Sequence, residues 1–181
     1  MNSIYCFSGP CGVGKSTLAQ AYARHLVDHG VDRQVYVIHG DDFHAGFVET
    51  QERVGPACPG FMYWEDILRF NWECMLSVAE KVLKRGLDVV IDYVVEDELP
   101  LLKEVAERNK ASLYYVTLIA DEDVIRNRIA KRGDTILIDR AIFLKNKLEN
   151  MPENQGHLFD NSRCTTEETI NRLQMEDFRI L

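Results

Sequence analysis

Nine residues near the N-terminus, GPCGVGKST from Gly9 to Thr17, have the types and the spacing that bind phosphate groups. Glycines let the backbone curl around an anion, and the loop N–H groups and the N-terminus of the following helix then point at that anion. In such a loop Lys15 reaches the β- and γ-phosphates of a nucleotide, and the hydroxyl of Ser16 is a ligand of Mg²⁺. We therefore predict a nucleotide phosphate site, although a glycine-rich turn that only caps a helix is the plainer alternative. The predicted phosphate-binding residues are Gly9, Gly12, Val13, Gly14, Lys15, Ser16 and Thr17.

Acidic residues follow two of the apolar runs. Asp41 and Asp42 come after QVYVIHG, and Asp92 ends VVID. A carboxylate after the first of these runs can accept the proton of a hydroxyl group as a phosphoryl group moves to that hydroxyl group. A carboxylate at the end of the second run, VVID, can orient Mg²⁺ or its waters beside the phosphate loop. We predict Asp41 as the base and Ser16 with Asp92 as metal-binding residues. Asp42 stays open as the base, and capping of turns is the plainer alternative for each aspartate.

Two arginines, Arg128 and Arg132, are four residues apart and so share one face of a predicted helix. Arginines in this position can bind phosphates and stabilise the negative charge that moves during phosphoryl transfer. Gly133 follows them and allows the chain to hinge. We predict a small helical lid over about residues 126–136, with both arginines catalytic together with Lys15. The alternative is a solvated basic helix, partly paired with the acidic residues before it.

Short apolar runs rich in β-branched and aromatic residues predict strands, and amphipathic stretches between them predict helices. This alternation favours a parallel sheet with helices on both faces, which binds ligands at the carboxyl ends of its strands. We treat residues 1–181 as one domain and predict an irregular acceptor-binding segment over about residues 43–63. Thr165 and Glu168 have the spacing of a capping box. The predicted strands are 3–8, 34–40, 88–94, 112–120 and 157–161, and the predicted helices are 15–29, 64–85, 98–109, 121–132, 136–150 and about 166–176.

Composition and charge exclude several classes of protein for this chain. The chain has 181 residues and a net charge of -8, which argues against broad affinity for nucleic acid or for an anionic membrane surface. Its five cysteines are odd in number and form no C-x-x-C pair, so reduced thiols are expected. No apolar run approaches the roughly 18 residues of a membrane span, and the N-terminal run is too short for a signal peptide. We expect a cytoplasmic protein whose partner is a small molecule.

The phosphate loop, GDDFH after the second strand, VVID on the third and an R-x-x-x-R pair after the fourth together resemble the small P-loop kinases. Gluconate kinase, chloramphenicol phosphotransferase and the zeta toxin kinases are the members that the chain is most similar to. The resemblance implies a three-layer α/β P-loop NTPase fold with a five-stranded parallel sheet in the order 2-3-1-4-5. It also implies a mobile lid and the use of ATP with Mg²⁺ as the phosphoryl donor.

The resemblance also implies roles for individual residues. In zeta toxin and chloramphenicol phosphotransferase an Asp followed two places on by Phe serves as the base, and Asp41 and Phe43 match that pair. The lid arginines of the family match Arg128 and Arg132. The segment FDNSRCTTEE resembles the part of these kinases that lies near adenine, which implies nucleotide contacts for Asn161 and Ser162.

The acceptor stays open, because residue 45 is Ala where gluconate kinase has Pro, and residues 49–64 match no known acceptor site. We expect an ATP-dependent phosphotransferase that moves the γ-phosphoryl group of MgATP to a hydroxyl group of a small molecule. A nucleoside monophosphate kinase is an alternative, although only Arg53 and Arg69 stand in its acceptor region. A non-catalytic ATP-binding regulatory module is another. The chain is expected to be a monomer or a homodimer.

Overall fold

Parallel strands form the centre of the molecule. The structure, a computed structural model, describes residues 2–30, 32–47 and 61–181. Within these ranges one five-stranded sheet has the order β2-β3-β1-β4-β5, with every neighbouring pair parallel. The strand order that the resemblance to the small P-loop kinases implies is confirmed. The strands are β1 (Ser3–Ser8), β2 (Val35–His39), β3 (Asp88–Asp92), β4 (Ser112–Ile119) and β5 (Leu158–Asp160).

Helices cover both faces of this sheet. They are α1 (Lys15–His29), α2 (Asp41–Ala45), α3 (Trp64–Leu83), α4 (Leu99–Arg108), α5 (Glu122–Arg132), α6 (Ile138–Asn150) and α7 (Thr166–Arg172). Short 3-10 helices occupy Thr135–Leu137, Pro152–Asn154 and Met175–Phe178. One core cluster joins the sheet to α3 and α4, and the other joins it to α1, α5 and α7. The result is the predicted three-layer arrangement.

The side chains of the central strands explain why both faces are covered. In β1, Ile4 and Cys6 belong to the cluster with α3 and α4, whereas Phe7 belongs to the opposite one. Val90 of β3 likewise faces away from its neighbours Val89 and Ile91. Successive residues of a strand point to opposite faces, so a strand that is apolar throughout requires a helical layer on each side.

Several boundaries differ from the prediction. Residues 43–45, predicted to begin an irregular segment, belong to the short helix α2, and the part of that segment over residues 48–60 lies outside the described residues. The strand predicted over 88–94 ends at Asp92, and the helix predicted to run to about 176 ends at Arg172. The capping box at the start of α7 is confirmed, with Glu168 N–H donating to the Thr165 hydroxyl.

The carboxyl ends of the strands collect the residues that the sequence singled out. The phosphate loop follows β1, Asp41 follows β2, Asp92 ends β3 and Asn161 follows β5. Parallel strands end at the same edge of a sheet, so the fold brings these four positions to one side of the molecule. In the described ranges no helix has the length and apolar character needed to cross a membrane.

Candidate active site

The phosphate loop has a backbone that only glycine adopts easily. Gly9, Gly12 and Gly14 have φ angles of 139°, 77° and 103°, in the region where a Cβ atom causes strain. Space is also short, because a Cβ on Gly9 would lie 2.5 Å from the Leu118 carbonyl oxygen and one on Gly12 would lie 2.7 Å from Ile129 Cγ1. Gly14 is the N-cap of α1 and turns the chain from the loop into the helix.

Lys15 stands at the first position of α1 and points back over the loop. Its Nζ donates to the Pro10 carbonyl oxygen at 3.0 Å. A pocket of about 180 Å³ opens beside it and is lined by residues of the loop, of the start of α1, of α2, of α5 and of the segment that follows α5. This pocket brings together Lys15, Ser16, Asp41 and Arg132. The structure thus places the predicted phosphate lysine and the predicted base on the walls of one cavity.

A second pocket of about 220 Å³ lies on the other side of the loop and shares Gly12, Gly14 and Arg132 with the first. Its remaining walls come from Val13, α1, Arg128, Asn161 and the N-terminal end of α7. Two cavities that meet over one phosphate loop suit a nucleotide on one side and an acceptor on the other.

Ser16 and Asp92 meet at the end of β3. Asp92 is buried, and burial raises the pKa of its carboxyl group, while hydrogen bonds from His39 and Ser16 and the charge of Lys15 act in the opposite direction. His39 Nδ1 lies 2.7 Å from Asp92 Oδ2. A serine hydroxyl and a fixed carboxylate are hard oxygen donors of the kind that Mg²⁺ prefers, and Mg²⁺ takes its other ligands from water and phosphate. The residues present therefore fit the predicted metal.

The two neighbouring aspartates differ in their surroundings. Both are exposed and stand in the first turn of α2. Asp41 lines the pocket of the phosphate loop, whereas among the described residues Asp42 lines none of the cavities at this edge. The geometry therefore favours Asp41 over Asp42 as the group that faces an acceptor.

The two predicted arginines also differ. Arg128 Nη1 and Asn161 Nδ2 both donate to the Val13 carbonyl oxygen, at 3.0 and 2.8 Å. These two hydrogen bonds fix the position of the loop. Arg132 is exposed at the end of α5, lines both pockets and has no hydrogen-bond or ion-pair partner within the described part of the chain. Arg132 is thus the arginine that is available to an incoming phosphate group.

Ser162 lies apart from these cavities. Its hydroxyl accepts the Asp121 N–H at 2.7 Å and also bonds to Asp160 Oδ1. In the described residues it connects the end of β5 to the start of α5, and it lines neither pocket. The structure thus places Asn161, but not Ser162, on the wall of a pocket, and the nucleotide contact of Ser162 stays a prediction.

Two histidines flank the neighbouring aspartates in the sequence and lie close to these groups. His39 contacts Asp92, and His44 contacts Asn71. The order of the strands contains the signal for the first, because β2 and β3 are neighbours and pair His39 with Asp92. No comparable sequence signal points to the second, because Asn71 is 27 positions further along the chain and on another helix.

Comparison with known proteins identifies the family of this chain and solved structures of similar fold. A family profile described as AAA domain matches residues 4–147, so the chain belongs to this family. A search of curated protein sequences finds no match. The fold is similar to that of the Deinococcus radiodurans tunicamycin resistance protein, with a TM-score of 0.63, 18% identity and coverage of 95% of this chain and 93% of that one.

Two kinases have similar folds. A gluconokinase from Sinorhizobium meliloti has a TM-score of 0.57 and 18% identity, over 98% of this chain and 89% of the other. The Mycobacterium tuberculosis APS kinase, in complex with AMPPNP and APS, has a TM-score of 0.63 and 17% identity, over 94% of each chain. The predicted resemblance to small P-loop kinases is confirmed at the level of the fold.

Proposed function

We propose that this member of the AAA domain family is an ATP-dependent phosphotransferase that moves the γ-phosphoryl group of MgATP to a hydroxyl group of a small molecule. The observation that carries the proposal is the single pocket lined by Lys15, Ser16, Asp41 and Arg132. It combines cations for a phosphate group with a carboxylate that can accept a proton, which is what this transfer requires. The similar folds of a gluconokinase and an APS kinase support the same class of reaction.

Each residue of the pocket has a separate task in this proposal. Lys15 leaves the Pro10 carbonyl oxygen and binds the β- and γ-phosphates, and Arg132 binds the phosphoryl group from the opposite wall. Asp41 accepts the proton of the acceptor hydroxyl as its oxygen attacks. Ser16 and Asp92 would hold Mg²⁺, which would neutralise charge on the phosphate oxygens.

The nucleotide occupies the second pocket in this proposal. Asn161 and Arg128 fix the Val13 carbonyl oxygen and so keep the loop N–H groups turned toward the phosphates. The adenine then lies against the N-terminal end of α7, where Thr165, Thr166 and Thr169 line the cavity. The exposed segment after α5 is free to close over both pockets as a lid.

A coupled assay of ADP release, run with MgATP and a panel of sugar acids, sugars, antibiotics and nucleosides, tests the proposal. We expect one class of acceptor to raise the rate strongly, and Lys15→Ala to abolish it. Asp41→Asn should lower kcat by about 10²- to 10⁴-fold, the usual contribution of a general base, with little change in ATP affinity. Asp42→Asn is the matched control and should keep most of the activity. Near wild-type turnover by Asp41→Asn would remove this residue from its proposed role.

A further inference from the structure

Two histidines, His25 and His29, lie side by side at the C-terminal end of α1. They are four residues apart, a spacing that places two side chains on one face of a helix. Their ring centroids are 4.4 Å apart, and the ring planes are inclined by 25°. His29 is exposed and His25 is partly exposed. An α-helix rises about 1.5 Å per residue, so this pair stands about 15 to 20 Å along α1 from the phosphate loop.

The hydrogen bond of His29 determines which of its nitrogens can bind a ligand. Its Nδ1 lies 3.0 Å from the carbonyl oxygen of His25. A carbonyl oxygen only accepts, so Nδ1 carries the proton, and the neutral ring has its free electron pair on Nε2. Turning the ring over would put a carbon atom beside this oxygen and lose the bond. Metal-binding histidines usually donate their other ring N–H in this way, to a carboxylate, a backbone carbonyl or water.

The separation of the two rings matches that of two imidazoles bound to one metal ion. A metal–nitrogen bond of about 2.0–2.1 Å puts the ring centroid about 3.2 Å from the metal. Two such rings at right angles about the metal have centroids about 4.5 Å apart, whereas the tetrahedral angle gives about 5.2 Å. The observed 4.4 Å is close to the first value. Among the described residues no hydrogen bond holds the ring nitrogens of His25, so this ring can turn a nitrogen toward the ion.

The surroundings of the pair favour a cation beside a neutral ring. Burial lowers the pKa of His25, and the neighbouring His29 acts in the same direction, so the ring of His25 keeps its free electron pair at neutral pH. The charge of Asp28 acts in the opposite direction on this pKa, which shows that a carboxylate stands near the pair. The C-terminal end of a helix also carries a partial negative charge. Both features attract a divalent cation.

We propose that His25 and His29 form a binding site for a divalent transition-metal ion such as Ni²⁺ or Cu²⁺, with one nitrogen of each ring as a ligand. Imidazole nitrogens suit these ions, and both favour ligands at right angles. The described part of the chain contains no cluster of three metal-binding side chains, so water supplies the remaining ligands. Mg²⁺ prefers oxygen ligands, which separates this site from Ser16 and Asp92. A bound ion joins two turns of α1 and so stabilises the folded chain.

Calorimetric titration with Ni²⁺ tests the site, in excess Mg²⁺ so that oxygen ligands are already occupied. We expect one Ni²⁺ ion per chain in the wild type. His25→Asn and His29→Asn should each raise the Kd about 10²-fold or more, because binding through two linked groups usually gains at least that factor. His157→Phe removes a histidine elsewhere and should keep the wild-type Kd.

Proton NMR locates the ion independently. The chain has five histidines, so their ring signals are few enough to resolve. Ni²⁺ is paramagnetic, and less than one equivalent should broaden the signals of His25 and His29 before those of the other three. Broadening that begins at His39, the neighbour of Asp92, would place the ion at the proposed magnesium site and overturn the inference.

Melting temperatures separate metal binding from folding. Without metal, wild type and His29→Asn should melt within about 2 °C of each other, because the substituted side chain is exposed. Added Ni²⁺ should raise the melting temperature of the wild type alone. The same Kd for Ni²⁺ in the wild type and in both histidine variants would refute the site. These measurements use neither nucleotide nor acceptor, so their outcome is independent of the proposed phosphotransferase activity.

Discussion

Gly12 shows how closely single atoms constrain the phosphate loop. A Cβ at this position would meet Ile129 Cγ1 at 2.7 Å, and the backbone there has a φ of 77°. Gly86 offers a matched control, because its φ is 80° but a Cβ on it would meet no atom within 4 Å. The two positions share the same backbone strain and differ in their surroundings.

We expect Gly86→Ala to cost about 1–2 kcal/mol of unfolding free energy, the cost of a left-handed backbone at a residue with a Cβ. Gly12→Ala should lose more, because Ile129 must move, and it should also weaken ATP binding. Urea denaturation and calorimetric titration with ATP measure both effects. Equal losses in the two variants, with ATP affinity intact in both, would contradict the proposed fit between the loop and α5.

At the scale of residues, the positions in the site that can be predicted from the sequence are those whose geometry is set by a short motif. The loop from Gly9 to Thr17 is of this kind, because spacing along the chain alone brings its atoms to one anion. The contact between His44 and Asn71 is different, since it depends on how α2 lies against α3. Ser162 was singled out only by its place in a resembling segment, and its nucleotide contact stays a prediction; in the structure its hydroxyl accepts the Asp121 N–H and so joins the end of β5 to the start of α5.

At the scale of elements, α2 was missed because five residues are too few to show a helical period. Its start depends on Gly40, where a Cβ would overlap the ring of Tyr93. Only the folded sheet brings that ring near, so no local pattern marks the helix. The capping box of α7 is the contrary case, because both of its partners lie within four residues and the sequence displays them.

His157, in the turn before β5, gives the protein a pH-dependent stability. Burial lowers the pKa of His157 below its ordinary value of 6.5, and the charge of Lys103 adds to this. The unfolded chain therefore takes up a proton at this side chain at higher pH than the folded protein does. The free energy of unfolding should fall as the pH decreases through about 6.5, the ordinary histidine value.

We expect His157→Phe to reduce this dependence, since the ring stays beside Tyr115 but no longer titrates. Urea denaturation at about pH 7.5 and about pH 5.5, on either side of the histidine range, measures the difference. Part of the dependence should remain, because burial also lowers the pKa of His25. An unchanged difference between the two pH values in His157→Phe would show that His157 contributes nothing.

At the scale of the whole molecule, the order of the strands in the sheet determines which residues lie next to one another at the site. β1 lies between β3 and β4, so the phosphate loop opens between the residues that follow its neighbours. Lys15, Arg128 and Arg132 meet around this loop in a chain whose net charge is -8. The alternation of strands and helices predicts a parallel sheet, and the resemblance to the small P-loop kinases implies the order of its strands. The identity of the acceptor does not follow from the sequence in the same way, because its recognition depends on side chains from several elements and not on any one motif.

The central claim is transfer of the γ-phosphoryl group to a hydroxyl group. The most direct test is a ³¹P NMR time course with MgATP and the acceptor selected by ADP release, with Lys15→Ala as the control. We predict that ADP and a new phosphomonoester signal grow together in the wild type and that neither grows in the variant. Growth of inorganic phosphate alone would contradict the claim, and a new diphosphate signal would instead identify a nucleoside monophosphate kinase.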